Sequence, residues 1–434
     1  SIKKIIEHKP DVLAISLTYN SQIFVTKQII NEKAIQNCLL ENSGEEKSSA
    51  YNILEKAKSL EGLSVEEAAV LLSIKDPALI QKLYDTAKHI KDIIYGKRLV
   101  LFAPLYISNL CSNNCLYCAF RSENKELVRR SLSQEEIIAE AKGLIDEGHK
   151  RVLLVGGEDD SQGNIKYILD SIETVYKTKS ARGAVRRINV NFAPLSIDGF
   201  KELKQAQIGT YQLFQETYHR GIYSKVHMGG KKADYPWRLE GMDRAMQAGI
   251  DDVGIGVLFG LADWRFEVLA LLQHAQSLEK HYGVGPHTIS VPRLEPAIGS
   301  ELSVRSPNAV SDEDFYKIIA VLRLAVPYTG IILSTRESPE IRRKALALGV
   351  SQISAGSRTN PGGYTDSEKN AEQFSLGDHR SLDEVVCDVC SQGYIPSFCT
   401  GCYRLGRTGE HFMKLAKPGS IKNMCEINGL TTFK

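Results

Sequence analysis

Two regimes of hydrophobic patterning divide the chain. Up to about residue 98, apolar positions recur at helical spacing among polar ones. Ser64-Val-Glu-Glu67 has the form of a capping box and opens the run Ala68-Ala69-Val70-Leu71-Leu72. The polar stretch 41–50 predicts a loop. From about residue 99, short runs rich in β-branched and aromatic residues alternate with longer amphipathic ones. The short runs are 99–108, 151–157, 187–193, 210–216, 252–260, 288–296, 330–336 and 352–356. Between them lie segments such as the one capped by Ser133 and Glu136, where Ile137, Ile138, Ala141, Leu144 and Ile145 form a one-faced stripe. Eight strand–helix units in about 270 residues is the count and size of a (β/α)8 barrel, a TIM-type α/β fold. An open doubly wound sheet has the same periodicity and stays as the alternative. The pattern thus predicts an N-terminal helical region (1–98), a barrel (99–373) and a C-terminal extension (374–434).

Composition narrows the class. The 434 residues are 43% hydrophobic and 24% charged, ordinary for a globular protein, with a net charge of +2. No basic run is long enough to track a nucleic-acid backbone, and Arg129-Arg130 and Arg186-Arg187 read as solvated helix or loop ends. No apolar run approaches the roughly 20 residues of a membrane span, and Ser1-Ile-Lys-Lys-Ile-Ile6 has no signal-peptide core. The expected setting is the cytoplasm, without membrane or nucleic-acid partners. Nine cysteines sharpen this: Cys38 stands alone, three lie within eight residues, and five lie in the last 48. Clustering of that kind predicts metal binding rather than a disulfide framework.

The strongest motif is Cys111-Ser-Asn-Asn-Cys115-Leu-Tyr-Cys118, just after the first strand. Three thiolates on a tight loop can bind three irons of a cubane and leave the fourth open to an outside ligand. Zinc would want a fourth Cys or His nearby, and none follows Cys118 closely. In a barrel or a doubly wound sheet, ligands bind beyond the C-terminal ends of the strands. Polar residues recur there: Gly156-Gly157-Glu158, Asn189 and Asn191, Gln215-Glu216, Arg293 and Glu295, Ser334-Thr335-Arg336-Glu337, Ser354 and Ser357. Gly254-Ile-Gly256 lies inside a strand run and lacks the dinucleotide-binding spacing. Trp237 and Trp264 read as packing residues.

The cysteine motif, with Tyr117 before its last thiol, resembles the signature of radical S-adenosylmethionine enzymes. The resemblance implies a 4Fe-4S cluster on Cys111, Cys115 and Cys118, with S-adenosylmethionine on the open iron. It places Tyr117 near the adenine, Gly156, Gly157 and Glu158 at the methionine amino group, and Asn191 at the ribose or methionine. The stretches 215–219, 285–293, 333–337 and 353–357 look like the tyrosine lyases of that superfamily, and the likeness runs from about residue 90 onward. Two branches are close, the thiazole-pathway 2-iminoacetate synthases and the FeFe-hydrogenase maturases. Residues 358–364, Arg-Thr-Asn-Pro-Gly-Gly-Tyr, look more like the first. The tail looks like the second: Cys399-Thr-Gly-Cys402 and Cys425, with 22 residues between the last two, resemble the maturases' second-cluster motif. A zinc knuckle of Cys387, Cys390, Cys399 and Cys402 is the rival reading. Ser381-Leu-Asp-Glu384 looks like a capping box, which would set Cys387 and Cys390 one turn apart on a helix and leave them incidental.

The resemblance implies a chemistry. Reductive cleavage of S-adenosylmethionine yields a 5′-deoxyadenosyl radical, which takes a hydrogen from the amino group of L-tyrosine. The Cα–Cβ bond then breaks to p-cresol and dehydroglycine. In the maturase branch, CO and cyanide follow and are captured on an extra iron at the second 4Fe-4S cluster, with the barrel as a tunnel. Arg336 is the candidate for the tyrosine carboxylate, because a guanidinium fork pairs bidentately with carboxylate; the alternative is an ion pair with Glu337. Glu216, Tyr218, His219 and Arg293 are candidates for the amino and phenol groups. His274, or His287, would ligate the extra iron. Implied partners are a reductant such as ferredoxin or flavodoxin and other hydrogenase-maturation proteins. A non-catalytic iron–sulfur or zinc scaffold would have no use for the Gly156–Glu158 element.

Overall fold

The computed structural model describes residues 28–42, 47–159, 165–365, 371–404 and 406–433. The leading residues Ser1 to Ile6 lie outside these. Eight parallel strands follow one another around a ring: β1 (Arg98–Ser108), β2 (Arg151–Gly156), β3 (Arg187–Asn191), β4 (Tyr211–Glu216), β5 (Val253–Val257), β6 (Thr288–Ser290), β7 (Gly330–Leu333) and β8 (Val350–Ser354). Each pairs with the next. β8 then pairs with β1 through Val100↔Gln352, Leu101↔Ile353 and Phe102↔Ser354. The sheet is therefore closed, and the barrel expectation holds over the open-sheet alternative. A short strand, β9 (Ile395–Ser397), runs parallel to the foot of β1, with Arg98 opposite Ile395 and Val100 opposite Ser397. The length of β1 lets its outer edge serve β9 below and β8 above.

Side-chain alternation explains which residues make these strands. Along β1, Leu99, Leu101, Ala103, Leu105 and Ile107 point out into the helix layer and are buried there. Val100, Phe102, Pro104 and Tyr106 point into the barrel. Both faces are covered, so the strand reads as one apolar run. Each fully buried Leu or Ile contributes roughly 1.5–3 kcal/mol. On β5 the inward positions are Gly254 and Gly256. A Cβ on Gly254 would sit 2.4 Å from Thr288 Oγ1, and one on Gly256 would sit 2.8 Å from Phe214 Cδ1. The crowded interior, not a nucleotide loop, demands these glycines.

Local signals hold at the helix starts. Ser64–Glu67, Ser133–Glu136 and Ser381–Glu384 each form a complete capping box. The loop expected at 41–50 is corrected: a helix begins at Lys47 and runs to Ala57, because Ala50, Ile53, Leu54 and Ala57 bury one face against the neighbouring helices. The N-terminal helices pack on Trp264–Tyr282 and Asp312–Ala325, pinned by Lys317 Nζ donating to the Ile74 carbonyl at 2.8 Å. The last helices (Gly409–Ala416 and Ile421–Phe433) lie beneath the N-terminal ends of the strands. Among the described residues, no helix is long and apolar enough to cross a membrane. Arg187, expected at a solvated loop end, is buried at the foot of β3. It donates to Thr210 Oγ1 at 2.6 Å and faces Asp252 at 3.4 Å. Strand alternation turns it inward, and its charge is met there.

Candidate active site

The C-terminal ends of the strands open into a cavity of about 1390 Å³, its mouth included. Cys111, Cys115 and Cys118 line it from the loop after β1. The loop is tied down by backbone hydrogen bonds: Ser112 N donates to Glu158 O (2.8 Å), Leu116 N to Val226 O (2.9 Å) and Cys118 N to Cys115 O (3.1 Å). Arg129, expected to be solvated, reaches under the loop and donates to the carbonyls of Asn109 (2.9 Å) and Phe120 (2.8 Å). Gly157 packs against this loop so closely that a Cβ would lie 2.0 Å from Leu110 O. Gly157→Ala must therefore push the backbone beside Cys111. It is expected to cost about 1–3 kcal/mol, as overpacking does, and to lower iron retained at the mouth; thermal denaturation and iron analysis check both.

Burial pushes the Cys111 thiol up to about 11 and Cys115 up to about 12, and raises Cys118 as well. A metal must displace these protons to bind. Among the described residues, no three His, Cys, Asp or Glu side chains converge closely enough to hold a single ion. A multi-iron core takes each thiolate on a different iron and asks for wider spacing. Three thiols at one cavity wall, with open space before them, suit such a core.

Beside the thiols stands a charged group of four. Glu158 accepts from Arg238 Nη1 and from Asn113 Nδ2, each at 2.8 Å. Burial would raise its carboxyl, but Arg238 and Lys232 outweigh it and hold Glu158 below the usual range. Glu216 ends β4 at φ 68°, a left-handed conformation uncommon outside glycine. A register shift there aims its carboxylate into the cavity, 2.8 Å from Lys232 Nζ. Non-glycine residues held this way cluster at functional sites. Asn191 lines the same wall from the end of β3. The Tyr117 hydroxyl lies 2.8 Å from His227 Nε2, with the two rings edge to face.

Arg336 enters from beyond β7. Its guanidinium stacks on Phe374, 3.2 Å from the ring centroid. Glu337 does not pair with it. That buried carboxylate takes both arms of Arg293, with Nε to Oε1 at 2.9 Å, and Arg293 also donates to Asp312 Oδ1 at 2.7 Å. Arg293 is thereby a brace outside the cavity rather than a ligand contact. Tyr218 is fully buried behind the wall, its hydroxyl 2.7 Å from His274 Nδ1. His219 caps the helix Arg220–Val226 by accepting from Ile222 N. Of the five residues proposed for substrate, Arg336 and Glu216 reach the cavity and Tyr218, His219 and Arg293 do not. Lys232, Arg238 and His227 were not anticipated. They sit after β4 on a segment that folds back over the mouth, and its only sequence signal is the run Gly229-Gly-Lys-Lys232.

A second pocket, about 540 Å³, lies at the opposite end of the barrel. Cys399, Cys402 and Cys425 line it, with Arg98, Arg151 and Arg187 from the feet of β1, β2 and β3. Arg151 Nη2 donates to the Cys399 carbonyl at 2.9 Å, and Gly401 N to Cys399 Sγ at 3.3 Å. The Cys402 thiol is drawn down by a hydrogen bond from Cys425, against burial, with help from Arg98, Arg407 and Arg151. Three thiols in cationic surroundings again fit a cluster. Cys387 and Cys390 are exposed on the helix Leu382–Ser391 and lie off this pocket, so the zinc-knuckle geometry is not formed. His274 does not line this pocket and meets the Tyr218 hydroxyl instead. His287 is the histidine in the pocket, over the Phe412 ring at 4.0 Å, and burial lowers it to about 4, so its imidazole is neutral. Between the two ends, Val100 and Gln352 line the lower pocket, while Phe102 and Ser354 on the same strand faces line the upper.

Comparison with known proteins agrees with this architecture. Residues 105–272 match the model of the Radical SAM superfamily, and 290–395 that of the Biotin and Thiamin Synthesis associated domain. The 2-iminoacetate synthase of Salmonella typhimurium is 33% identical over 358 residues, which cover 82% of this chain and 92% of the relative. That of Escherichia coli is 32% identical with the same coverage. Among solved structures, a HydG maturase of the FeFe-hydrogenase superposes with a TM-score of 0.91 at 50% identity, covering 94% of this chain and 88% of that one. HydG from Carboxydothermus hydrogenoformans gives 0.81 at 42%, covering 94% and 100%.

Proposed function

The chain belongs to the radical S-adenosylmethionine superfamily, in the group that holds the HydG maturases and the 2-iminoacetate synthases, and from that membership we propose that it is a tyrosine lyase of FeFe-hydrogenase maturation. It cleaves the tyrosine Cα–Cβ bond to p-cresol and dehydroglycine and yields CO and cyanide as iron ligands. The observation that carries this reading is the pair of cysteine triads at opposite ends of one closed barrel. When bound at the mouth, the cluster and S-adenosylmethionine supply a carbon radical able to abstract hydrogen.

The chain's own residues do the rest. Cys111, Cys115 and Cys118 hold the first cluster, and Tyr117, Gly156, Gly157, Glu158 and Asn191 surround its ligand. Arg336, free of a carboxylate among the described residues and braced on Phe374, takes the tyrosine carboxylate. Glu216, poised with Lys232, faces the polar groups of the cofactor and substrate. The closed wall of strands keeps water from the reacting carbon. At the foot, Cys399, Cys402 and Cys425 hold the second cluster. His287 offers a neutral nitrogen to an additional iron, in place of His274. A low-potential carrier of the ferredoxin or flavodoxin kind supplies electrons, and other maturation proteins in the cytoplasm receive the product. The second reading is the 2-iminoacetate synthase activity of the curated relatives, in which dehydroglycine is the end product. The tail triad and its pocket favour the first.

Anaerobically reconstituted protein, given S-adenosylmethionine, tyrosine and a strong reductant, is expected to form p-cresol together with CO and cyanide. Chromatography of the phenol and trapping of CO on a haem protein measure them. p-Cresol alone would move the assignment to the synthase, and no p-cresol would remove both lyase readings.

A further inference from the structure

We propose that an acidic one-electron carrier protein docks on the face formed by Lys225, Met228, Gly230 and Lys231, directly outside the Cys111–Cys118 loop. The proposal rests on the reading above, since it needs a redox cluster at the mouth.

Three observations converge. The first is proximity. The segment 226–230 is zipped to the cysteine loop by backbone hydrogen bonds: Leu116 N donates to Val226 O at 2.9 Å, Met228 N to Asn114 O and Asn114 N to Gly229 O, both at 3.0 Å. Cys115 bridges His227 in this short ladder. Gly230, at φ 79°, comes so near that a Cβ would lie 2.3 Å from Asn113 Oδ1. A carrier seated on this segment is separated from the Cys115 thiol by a single layer of hydrogen-bonded backbone.

Charge is the second. Residues 220–233 include Arg220, Lys225, Lys231 and Lys232 and no acidic residue. Lys225 is exposed in the last turn of the helix Arg220–Val226, and Lys231 is exposed over the Trp237 ring at 4.4 Å. The acids nearest in sequence are engaged: Glu216 pairs with Lys232 at 2.8 Å, and Asp234 caps the next helix by accepting from Trp237 N at 2.9 Å. The chain as a whole is nearly neutral, at +2. A local basic patch over a redox centre is therefore a feature of this face rather than of the overall charge. Such patches speed encounter with an oppositely charged partner by roughly 10–1000-fold at low salt.

The third is the apolar centre. Met228 is 60% exposed between the two lysines, although it is one of only five methionines in the chain. Methionine is adaptable at contact surfaces, and electron-transfer encounters are small, below about 1,200 Å². One exposed apolar side chain flanked in sequence by two exposed lysines suits a brief, salt-sensitive contact.

The test compares two electron sources on the reconstituted holoenzyme, reduced flavodoxin and dithionite. Cluster reduction is followed by absorbance and by electron paramagnetic resonance in wild type and in Lys225→Glu/Lys231→Glu. With flavodoxin, the variant's rate is expected to fall at least about tenfold at low salt, the size steering allows, and to lose its dependence on ionic strength. With dithionite the two proteins should be equal. Equal rates with flavodoxin overturn the proposal. So does an equal loss with both donors, which would place the effect in the cysteine loop and not at a docking face. Failure of the underlying reading looks different: the wild type itself would show no reducible mouth cluster with either donor.

Discussion

A Cys399→Ala/Cys402→Ala variant is expected to hold about four irons per chain where the reconstituted wild type holds about eight, and to go on making p-cresol. Removing two of three thiolates leaves Cys425 alone, which cannot retain a cubane. The mouth should not notice, because among the described residues none lines both the upper cavity and the lower pocket. Tyrosine cleavage should therefore stay within about twofold, while the CO- and cyanide-bearing iron product disappears, a separation of functions that only two independent sites allow. Cys387→Ala/Cys390→Ala is the control. Both residues are exposed and off the pocket, so iron should remain at about eight. Zinc lost from this control, with iron near four throughout, would restore the knuckle and return the protein to the synthase reading. Loss of p-cresol in the tail variant would show that the two ends do not work independently.

Much of the barrel was legible because short strand runs alternate with longer helical ones, each with an outward apolar face buried in the layer between them. Closure was not, since nothing in a period of two says that β8 returns to β1. The same period did contain the place of Arg187. Counted along β3 with Asn189 and Asn191, it points inward, and only its pairing with Arg186 suggested a solvated end. The polar stretch before Ala50 hid a helix start, because the apolar face that stabilises it comes later, at Ile53 and Leu54.

The site was legible where chemistry is written into one short motif, as in the cysteine loop and Gly156–Glu158. It was illegible where function depends on which of several like residues finds a partner. Arg293 and Arg336 both follow strands, and in sequence Glu337 adjoins Arg336 alone. Only the fold decides that Glu337 turns to Arg293 and leaves Arg336 facing the cavity. His274 and His287 differ likewise: each lies in the right part of the sequence, but Tyr218 holds one and the tail pocket takes the other. Lys232 and Arg238 come from a segment that doubles back over the mouth, so their approach to Glu158 and Glu216 has no counterpart in local spacing.

That division between the two arginines yields the second large effect. Arg336→Ala is expected to raise the KM for tyrosine by about 10–150-fold, the factor that follows from losing roughly 1.5–3 kcal/mol of hydrogen bonding to a charged group. Arg336→Lys keeps the charge but not the fork, and should recover part of that loss. The variant should still fold, since among the described residues the Arg336 guanidinium stacks on the Phe374 ring and pairs with no carboxylate. It should also still cleave S-adenosylmethionine, now without matching p-cresol, because the thiols and the Gly156–Glu158 element are untouched. Arg293→Ala should do the reverse. It strands Glu337, which is 2% exposed, and breaking a buried pair costs about 3–5 kcal/mol. Its signature is a lower melting temperature, with the KM of the surviving folded protein little changed. Steady-state kinetics in tyrosine, read beside thermal denaturation, separate the two. An Arg336→Ala protein with wild-type KM would remove this residue from substrate binding and leave the carboxylate to Lys232 or Arg238, whose present partners, Glu216 and Glu158, would then have to let them go.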